Sequence, residues 1–477
     1  MSSELNVVIL AAGLGTRMRS KKAKVLHEAG GDTLLNQIIR VALQVAPAER
    51  IIAVIGHQGD QVRRSVRVPG IRFAEQLEQK GSGHAVLCAR SVLDRADGRL
   101  LILNGDGPLL RAETLRALLN YRHPQAAGGS IVTTRLNDPT GYGRIVRDGQ
   151  GLVEAIVEQK TANGEQLAIT EINPGLYCFD ASLFWQHAGE ITPDNPAKEY
   201  YLTDMVAILT RHAHKVAPLL IPDETELLGI NTRIELAQAD KILRSRKAEE
   251  LMLAGVTIEN PDSVTIDIDV EIGADSVVEA NVQLRGCTRI ASGCQIGSGS
   301  YLRDCVVGEN ARVLPYVVAE NSSIGAGSFV GPFSRLRLDA EVAGGAHVGN
   351  FVELKKTKLG EGSKANHLAY LGDSTIGAGS NIGAGTITCN YDGQKKHPTR
   401  IGENVFVGSN STLVAPISIA EGAYIAAGSV ITKDVEQDAL AVGRAYQVDK
   451  PGWAKKRRTI AKEPHPSGEP ESEPTVP

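Results

Sequence analysis

The sequence predicts a chain built in two different ways: an α/β domain with a mostly parallel sheet, then a long helix leading into a parallel β-helix of six-residue repeats. Three observations carry this. Over residues 1–230, short apolar runs ended by Gly or Asn alternate with helically spaced segments. Over 231–254, no Pro or Gly interrupts the chain. Beyond that stretch, aliphatic residues recur at every sixth position.

In the first part, Val7-Val8-Ile9-Leu10, Ile51-Ile52-Ala53-Val54-Ile55 and Leu100-Leu101-Ile102-Leu103 suit strands buried on both faces, as in a parallel sheet covered by helices. Leu34, Leu35, Ile38, Ile39 and Leu43 carry the spacing of one covering helix. Thr232-Arg233-Ile234-Glu235 fits a capping box, and Gly255 stands where a C-terminal cap belongs, so 231–254 is expected to be one linker helix. Next come Ile272, Val278, Leu284, Ile290, Ile296 and Leu302, then Ile324, Val330, Leu336, Val342, Val348 and Leu354, and later Ile401, Val407, Leu413, Ile419, Ile425 and Ile431. A 3.6-residue period cannot hold this repeat on one face. A solenoid with flat sides of six residues can, pointing one aliphatic side chain inward per side. The low aromatic content, 4%, and the 50 glycines of 477 residues fit so narrow an interior and its corners. The expected limits are therefore 1–230, 231–254 and 255–450. The Pro/Glu/Ser-rich 451–477, which contains Lys455-Lys456-Arg457-Arg458, is expected to be a disordered tail. Breaks in the repeat near 303–323, 355–375 and 389–400 are expected to mark functional loops.

Composition excludes several classes. With 51 Lys+Arg against 55 Asp+Glu the formal charge is −4, so no nucleic-acid partner is expected. No apolar run approaches the roughly 20 residues of a membrane span, and the first residues lack the pattern of a signal peptide. Cys88, Cys178, Cys287, Cys294, Cys305 and Cys389 form no CxxC pair, which fits reduced thiols in a cytoplasmic protein.

The first strand runs into Leu10-Ala11-Ala12-Gly13-Leu14-Gly15-Thr16-Arg17, followed by Lys24. Glycines after a strand let backbone N–H groups approach phosphates, and Arg17 can neutralise charge there. Taken alone, the loop reads equally as a tight turn. It lacks the third Gly of a dinucleotide fingerprint and the Gly-Lys-Ser/Thr of a P-loop. Asn104-Gly105-Asp106 puts a carboxylate at the C-terminal edge of a strand, where open α/β sheets bind ligands and where a carboxylate suits Mg²⁺. In the second part, charge concentrates around Arg337, Asn350, Lys355, Lys364, His367, Tyr370, Asp373 and Asn390. Arg337 and Lys355 suit a sugar phosphate, and His367 has the intrinsic pKa of a general base, although a lone His in a repeat is more often a surface residue.

The N-terminal strings resemble the signature of sugar-nucleotide pyrophosphorylases. Joined to the solenoid with Asn350-Phe351-Val352-Glu353 and Gly383-Ala384-Gly385-Thr386-Ile387-Thr388-Cys389-Asn390-Tyr391-Asp392-Gly393, about 450 residues resemble the bacterial bifunctional N-acetylglucosamine-1-phosphate uridylyltransferase/glucosamine-1-phosphate N-acetyltransferases. That resemblance implies a Rossmann-like nucleotidyltransferase domain and a left-handed β-helix that associates as a homotrimer. It also implies two reactions of a cytoplasmic pathway to cell-wall precursors: acetyl transfer from acetyl-CoA to glucosamine-1-phosphate, then uridylyl transfer from UTP to N-acetylglucosamine-1-phosphate. By resemblance, UTP and UDP-N-acetylglucosamine contact Leu10, Ala11, Ala12, Gly13, Arg17, Lys24, Gln76, Gly81, Ser82, Asn104, Gly105, Asp106, Gly143, Glu158, Asn173 and Asn231. Asp106 and Asn231 would hold Mg²⁺, although Asn231 could instead only help start the helix. His367 would be catalytic; Arg337, Lys355, Tyr370 and Asn381 would hold the sugar phosphate; and Ala384, Asn390, Tyr391, Ser409, Ala427 and Arg444 would contact acetyl-CoA. Ala23, Ser82, Gly107, Leu338 and Asn366 depart from the family pattern without removing a reacting group. The competing expectation is a pyrophosphorylase for another sugar whose solenoid does no chemistry.

Overall fold

The computed structural model describes residues 5–93 and 97–461. They fall into two compact units, one ending at Ala346 and one beginning at His347.

The first unit opens with β1 (Leu5–Leu10), a short hairpin of β2 (Glu28–Ala29) and β3 (Asp32–Thr33), β4 (Ile51–Ile55), β5 (Arg72–Glu75) and β6 (Arg99–Asn104). β1 pairs in parallel with both β4 and β6, Val8 lying beside Ile52 on one side and Ile102 on the other, and β5 extends this half beyond β4. Further strands follow: β7 (Gly129–Arg135), β8 (Gly143–Arg147), β9 (Val153–Val157), β10 (Glu171–Asn173), β11 (Tyr177–Asp180) and β12 (Val216–Leu220). The order is β10-β8-β9-β12-β7-β11-β6-β1-β4-β5. The expected parallel sheet is thus the half built on β1. Past β6 the sheet continues through antiparallel pairings of β11, and β8 joins β9 antiparallel.

Both faces are covered, which is why the central strands are apolar at every position. Val8, Ile52, Val54 and Ile102 share one core with α3 (Ser82–Ala89), α6 (Ala181–His187) and α7 (Asp204–Arg211). Val7, Ile9, Ile51 and Leu101 share the other with α1 (Leu34–Ala42) and α4 (Ala112–Asn120). Each such side chain contributes about 1.5–3 kcal/mol by leaving water.

The linker helix, α8, spans Arg233–Leu253. Its capping box forms as expected: Thr232 Oγ1 accepts from the Glu235 N–H, and Glu235 Oε2 accepts from the Thr232 N–H at 2.8 Å. Ala239 and Leu243 pack on Ala29, Leu34, Leu109 and Ile230. The same helix reaches the first coil of the repeat, where Arg244 donates to Asp240 at 2.8 Å and to Asp267 at 2.6 Å.

From Thr257 onward the strands are two to four residues long, and within each unit they stack in parallel. Val278 pairs with Ile296, Leu284 with Leu302 and Ile272 with Ile290, so each coil is three hexads. Inside the coils, Ser276, Ser300 and Ser328 each donate to a backbone carbonyl, which satisfies the hydroxyls in an apolar interior. In the second unit, Val407 pairs with Ile425 by the same rule, whereas Val348 pairs with Ala365 on a shorter coil.

Two of the expected loops are not loops. Ile290 pairs with Val307 and Leu354 with Leu371, one residue short of three hexads, so the breaks near 303–323 and 355–375 are tightened corners. The turning residues adopt the left-handed conformation, Asp304 at φ 51°, Asn321 at 45°, Lys356 at 51° and Asp373 at 49°. Only 389–400 is an insertion: Ile376 pairs with Ile401, and Tyr391 bridges to Lys396 within the excursion.

Trp453–Ile460 form an exposed helix within the segment expected to lack structure, and 462–477 lie outside the described residues. No helix among the described residues is long and apolar enough to cross a membrane.

Candidate active sites

The first site lies where the loops after β1 and β6 meet at the C-terminal edge of the sheet. The Gly105 N–H donates to Leu10 O at 2.9 Å, holding the loop after β6 against the end of β1, and the Ala11 N–H donates to Val54 O of β4 at 2.9 Å. Gly15 turns the chain at φ 63°, and a Cβ there would stand 2.5 Å from the Lys24 Cβ, so only glycine lets the loop close on that lysine. Lys24 Nζ reaches Asp106 Oδ2 in an ion pair and donates to Asn231 Oδ1 at 3.2 Å. Arg17 donates to the same Asn231 oxygen at 2.8 Å. Asn231 is held by its own N–H, which donates to Glu235 Oε2 at 2.5 Å, and the Ile230 N–H donates to Asp106 O at 2.8 Å. The start of α8 is thus tied to the loop carrying Asp106.

Lys24 and Asp106 line a cleft of about 360 Å³ with Leu10, Ala12, Gly13, Gln76, Gly81, Ser82 and Asn104. Gln76 donates to Gly81 O at 3.0 Å, and Ser82 Oγ accepts from the Leu202 N–H at 3.1 Å. Gly81, at φ 107°, abuts Tyr200, whose carbonyl would lie 2.5 Å from any Cβ. Asn104 donates to Pro174 O at 3.1 Å. Gly143, Glu158 and Asn173 form an adjoining group: a Cβ on Gly143 would lie 3.6 Å from Glu158 Oε1 and 3.8 Å from Asn173 Cβ. Asn173 donates to Tyr177 Oη at 2.6 Å. Glu158 accepts from Thr203 Oγ1 at 3.2 Å, and burial pushes its carboxyl above the usual range, with Asp204 and Glu199 adding repulsion.

A carboxyl raised in the fold costs stability once ionised. That cost is absent at low pH and grows as pH rises from the unfolded pKa to the folded one. Glu158→Gln should therefore raise the melting temperature at about pH 8, with the gain shrinking toward about pH 4. Calorimetry at both pH values checks this, and equal gains would contradict it.

The second group stands in the second unit. Lys355, buried, pairs with Asp373 Oδ2 at 2.9 Å, and Asn390 donates to the same oxygen at 2.5 Å. Burial works against the Lys355 charge, but the ion pair with Asp373 outweighs it and raises its pKa. Asp373 is lowered overall: burial opposes its charge, and Lys355 and Asn390 stabilise it. Tyr370 Oη comes close enough to Gly372 that a Cβ there would lie 2.5 Å away. His367 is exposed beside Asn350 on the neighbouring strand, its Nδ1 2.9 Å from Asn350 Oδ1.

From His367 one corner ascends coil by coil. The Gly385 N–H donates to His367 O at 3.4 Å, that of Asn410 to Ala384 O at 2.7 Å, and that of Gly428 to Ser409 O at 2.8 Å. A Cβ on Gly428 would lie 3.7 Å from Arg444 Cδ. Ala384, Ser409, Ala427 and Arg444 therefore file along one edge, with Tyr391 exposed in the 389–400 excursion and Asn381 on the strand beside Lys364. Arg337 stands on the strand Arg335–Arg337 of the first unit. Sequence reasoning did not single out Tyr200, Thr203, Glu235 as a clasp for Asn231, or Lys396. Only Glu235 carried a signal, through its capping box.

Two family models match: a MobA-like NTP transferase domain over residues 7–171 and the hexapeptide repeat of succinyl-transferase over 398–433. Proteins called Bifunctional protein GlmU resemble the chain over nearly all its length. That of Solibacter usitatus (strain Ellin6076) is 57% identical over 97% of this chain and 99% of its own. Those of Anaeromyxobacter sp. (strain Fw109-5) and Koribacter versatilis (strain Ellin345) are 51% and 48% identical over 96% of this chain, and over 94% and 98% of theirs. With a nucleotidyltransferase domain and a hexapeptide β-helix in one polypeptide, the chain belongs to the Bifunctional protein GlmU family.

Proposed function

We propose that the chain makes UDP-N-acetylglucosamine in two steps, acetylating glucosamine-1-phosphate with acetyl-CoA and then coupling the product to UTP. Family membership over nearly the full chain supports both activities. The observation that carries the second step is the meeting of Arg17, Asn231, Lys24 and Asp106 in one chain of contacts, with Lys24 and Asp106 lining the cleft.

Residues 1–230 with the start of the linker helix form the uridylyl site. Asp106 and Asn231 offer hard oxygen donors to the same point, where the Lys24 ammonium sits between them, and this donor set fits Mg²⁺. When bound, the ion supplies positive charge to the triphosphate. Lys24 and Arg17 hold phosphate oxygens, and the glycines of the 11–15 loop admit the triphosphate close to the backbone. Gln76 and Ser82 face the base, and Gly143, Glu158 and Asn173 hold the sugar. An oxygen of the sugar 1-phosphate attacks the α-phosphorus, forming a new P–O bond as the α–β anhydride breaks and pyrophosphate leaves. Positioning and charge neutralisation do this work without a covalent intermediate.

In the acetyl site, Asn350 Oδ1 accepts from His367 Nδ1–H and leaves Nε2 as the base. That nitrogen takes the proton of the 2-amino group as the amine attacks the thioester carbon, and the coenzyme leaves as its thiolate. Lys355, Tyr370 and Asn381 hold the sugar phosphate. Asn390, Tyr391 and the edge of Ala384, Ser409, Ala427 and Arg444 hold the coenzyme. Leu368, Phe351 and Ile387 leave 65%, 58% and 46% of their surface exposed in the same unit as His367, which supports a trimer that covers them. The enzyme works in the cytoplasm.

Mass-spectrometric product analysis with glucosamine-1-phosphate, acetyl-CoA, UTP and Mg²⁺, omitting each in turn, tests the reading. N-acetylglucosamine-1-phosphate should accumulate without UTP, and nothing should form without acetyl-CoA. Nucleotide–sugar formation from glucosamine-1-phosphate with acetyl-CoA omitted would favour a pyrophosphorylase with an idle solenoid. Sedimentation should give a trimer.

A further inference from the structure

A second cluster of ligating side chains lies in the first unit, and none of its members lines the cleft. His187 ends α6, Glu190 follows in the turn Ala188–Glu190, and His212 caps the C-terminus of α7. Glu190 Oε1 is 2.7 Å from His187 Nδ1 and 2.9 Å from His212 Nε2, while Oε2 is 3.1 Å from the latter. The ligand atoms of all three lie within 4.8 Å of one another. The two imidazoles stack with centroids 4.0 Å apart, and His187 is only 6% exposed, so its ring is fixed by packing. Arg211, on an exposed side chain, stands 4.0 Å from Oε2.

Two imidazoles and a carboxylate are a zinc ligand set, with ligand atoms about 2.0–2.2 Å from the metal. Around such an ion the ligands sit roughly 3.3 Å apart, from tetrahedral geometry at those bond lengths. Each imidazole nitrogen needs to part from the Glu190 carboxylate by only about half an ångström, and all three ligand atoms already lie within 4.8 Å of one another. The fourth position falls to water or to His214, whose ring centroid is 5.8 Å from that of His187. We propose that His187, Glu190 and His212 bind a transition-metal ion of the zinc class, distinct from the metal of uridylyl transfer. The ion ties the end of α6 to the end of α7. It is structural, because neither helix end bears a group placed in the chemistry.

The test uses the full chain, stripped of metal and titrated with Zn²⁺ against a chromophoric chelator in the presence of Mg²⁺. One tight equivalent per chain is expected, with a rise of several degrees in melting temperature. His212→Ala and Glu190→Gln are chosen because both positions are exposed, whereas replacing buried His187 risks the fold. Each should weaken Zn²⁺ binding at least about tenfold and abolish the thermal shift, with both enzymatic activities unchanged. Co²⁺ should give the visible bands of a tetrahedral site in the parent only. Parent-like affinity and thermal shift in both variants, as uptake by a cysteine such as the exposed Cys287 would give, overturns the proposal. So does a parent that takes up no Zn²⁺.

Discussion

Asp106→Ala should lower Mg²⁺-dependent uridylyl transfer by about 10³-fold or more, since a metal's charge contributes several kcal/mol to a phosphoryl transition state. Two losses combine. The cleft loses one of its two oxygen donors to the ion, and Lys24 loses its ion-pair partner and swings toward Asn231 alone. Raising Mg²⁺ should not restore the rate, because Asn231 is left as a single neutral donor. Acetyl transfer should be unchanged, since none of its proposed residues touches Asp106. Parallel assays of the two half-reactions on the folded variant check this, and damage to both activities or to neither would refute the metal assignment.

His367→Ala should lower the acetyl-transfer kcat by about 10²–10⁴-fold, the usual cost of losing a general base. The amine is mostly protonated at neutral pH and attacks only as its proton is removed. Lys355 cannot substitute, because its ammonium is buried against Asp373 with its pKa raised, which keeps it charged. KM for both substrates should move little, and the acidic limb of the pH–rate profile should flatten while uridylyl transfer continues. Replacing Asn350 with Ala should give a milder loss in kcat, because the imidazole remains but its proton is no longer directed to Nδ1. A folded His367→Ala protein within about threefold of the parent kcat would fall short of the general-base range and return His367 to the surface.

The repeat was legible because burial in a solenoid is a local rule. Ile272, Val278, Leu284 and their successors each fill one side of a coil and are buried almost without exception. The same rule misled at the corners. A hexad shortened to five residues reads as a broken pattern, yet Asp304 and Asp373 absorb the missing residue by turning left-handed. Thr388 sits in an inward position where an aliphatic residue is the norm, and it keeps that position because its hydroxyl bonds to the Gly372 backbone.

By itself, the sequence determined the features set by neighbours a few residues apart: apolar runs for strands covered on both faces, the Thr232–Glu235 cap, the glycine loop after β1 and the six-residue period. The tertiary structure alone decided which distant groups meet. Lys24 finds Asp106 across 82 positions and Asn231 across 207, because β1 and β6 are neighbours and α8 begins against their loops. Glu190 finds His212 across 22 positions because α6 packs on α7. Periodicity records which side of an element avoids water, whereas strand order and helix packing set the distances between charges, and chemistry depends on those distances.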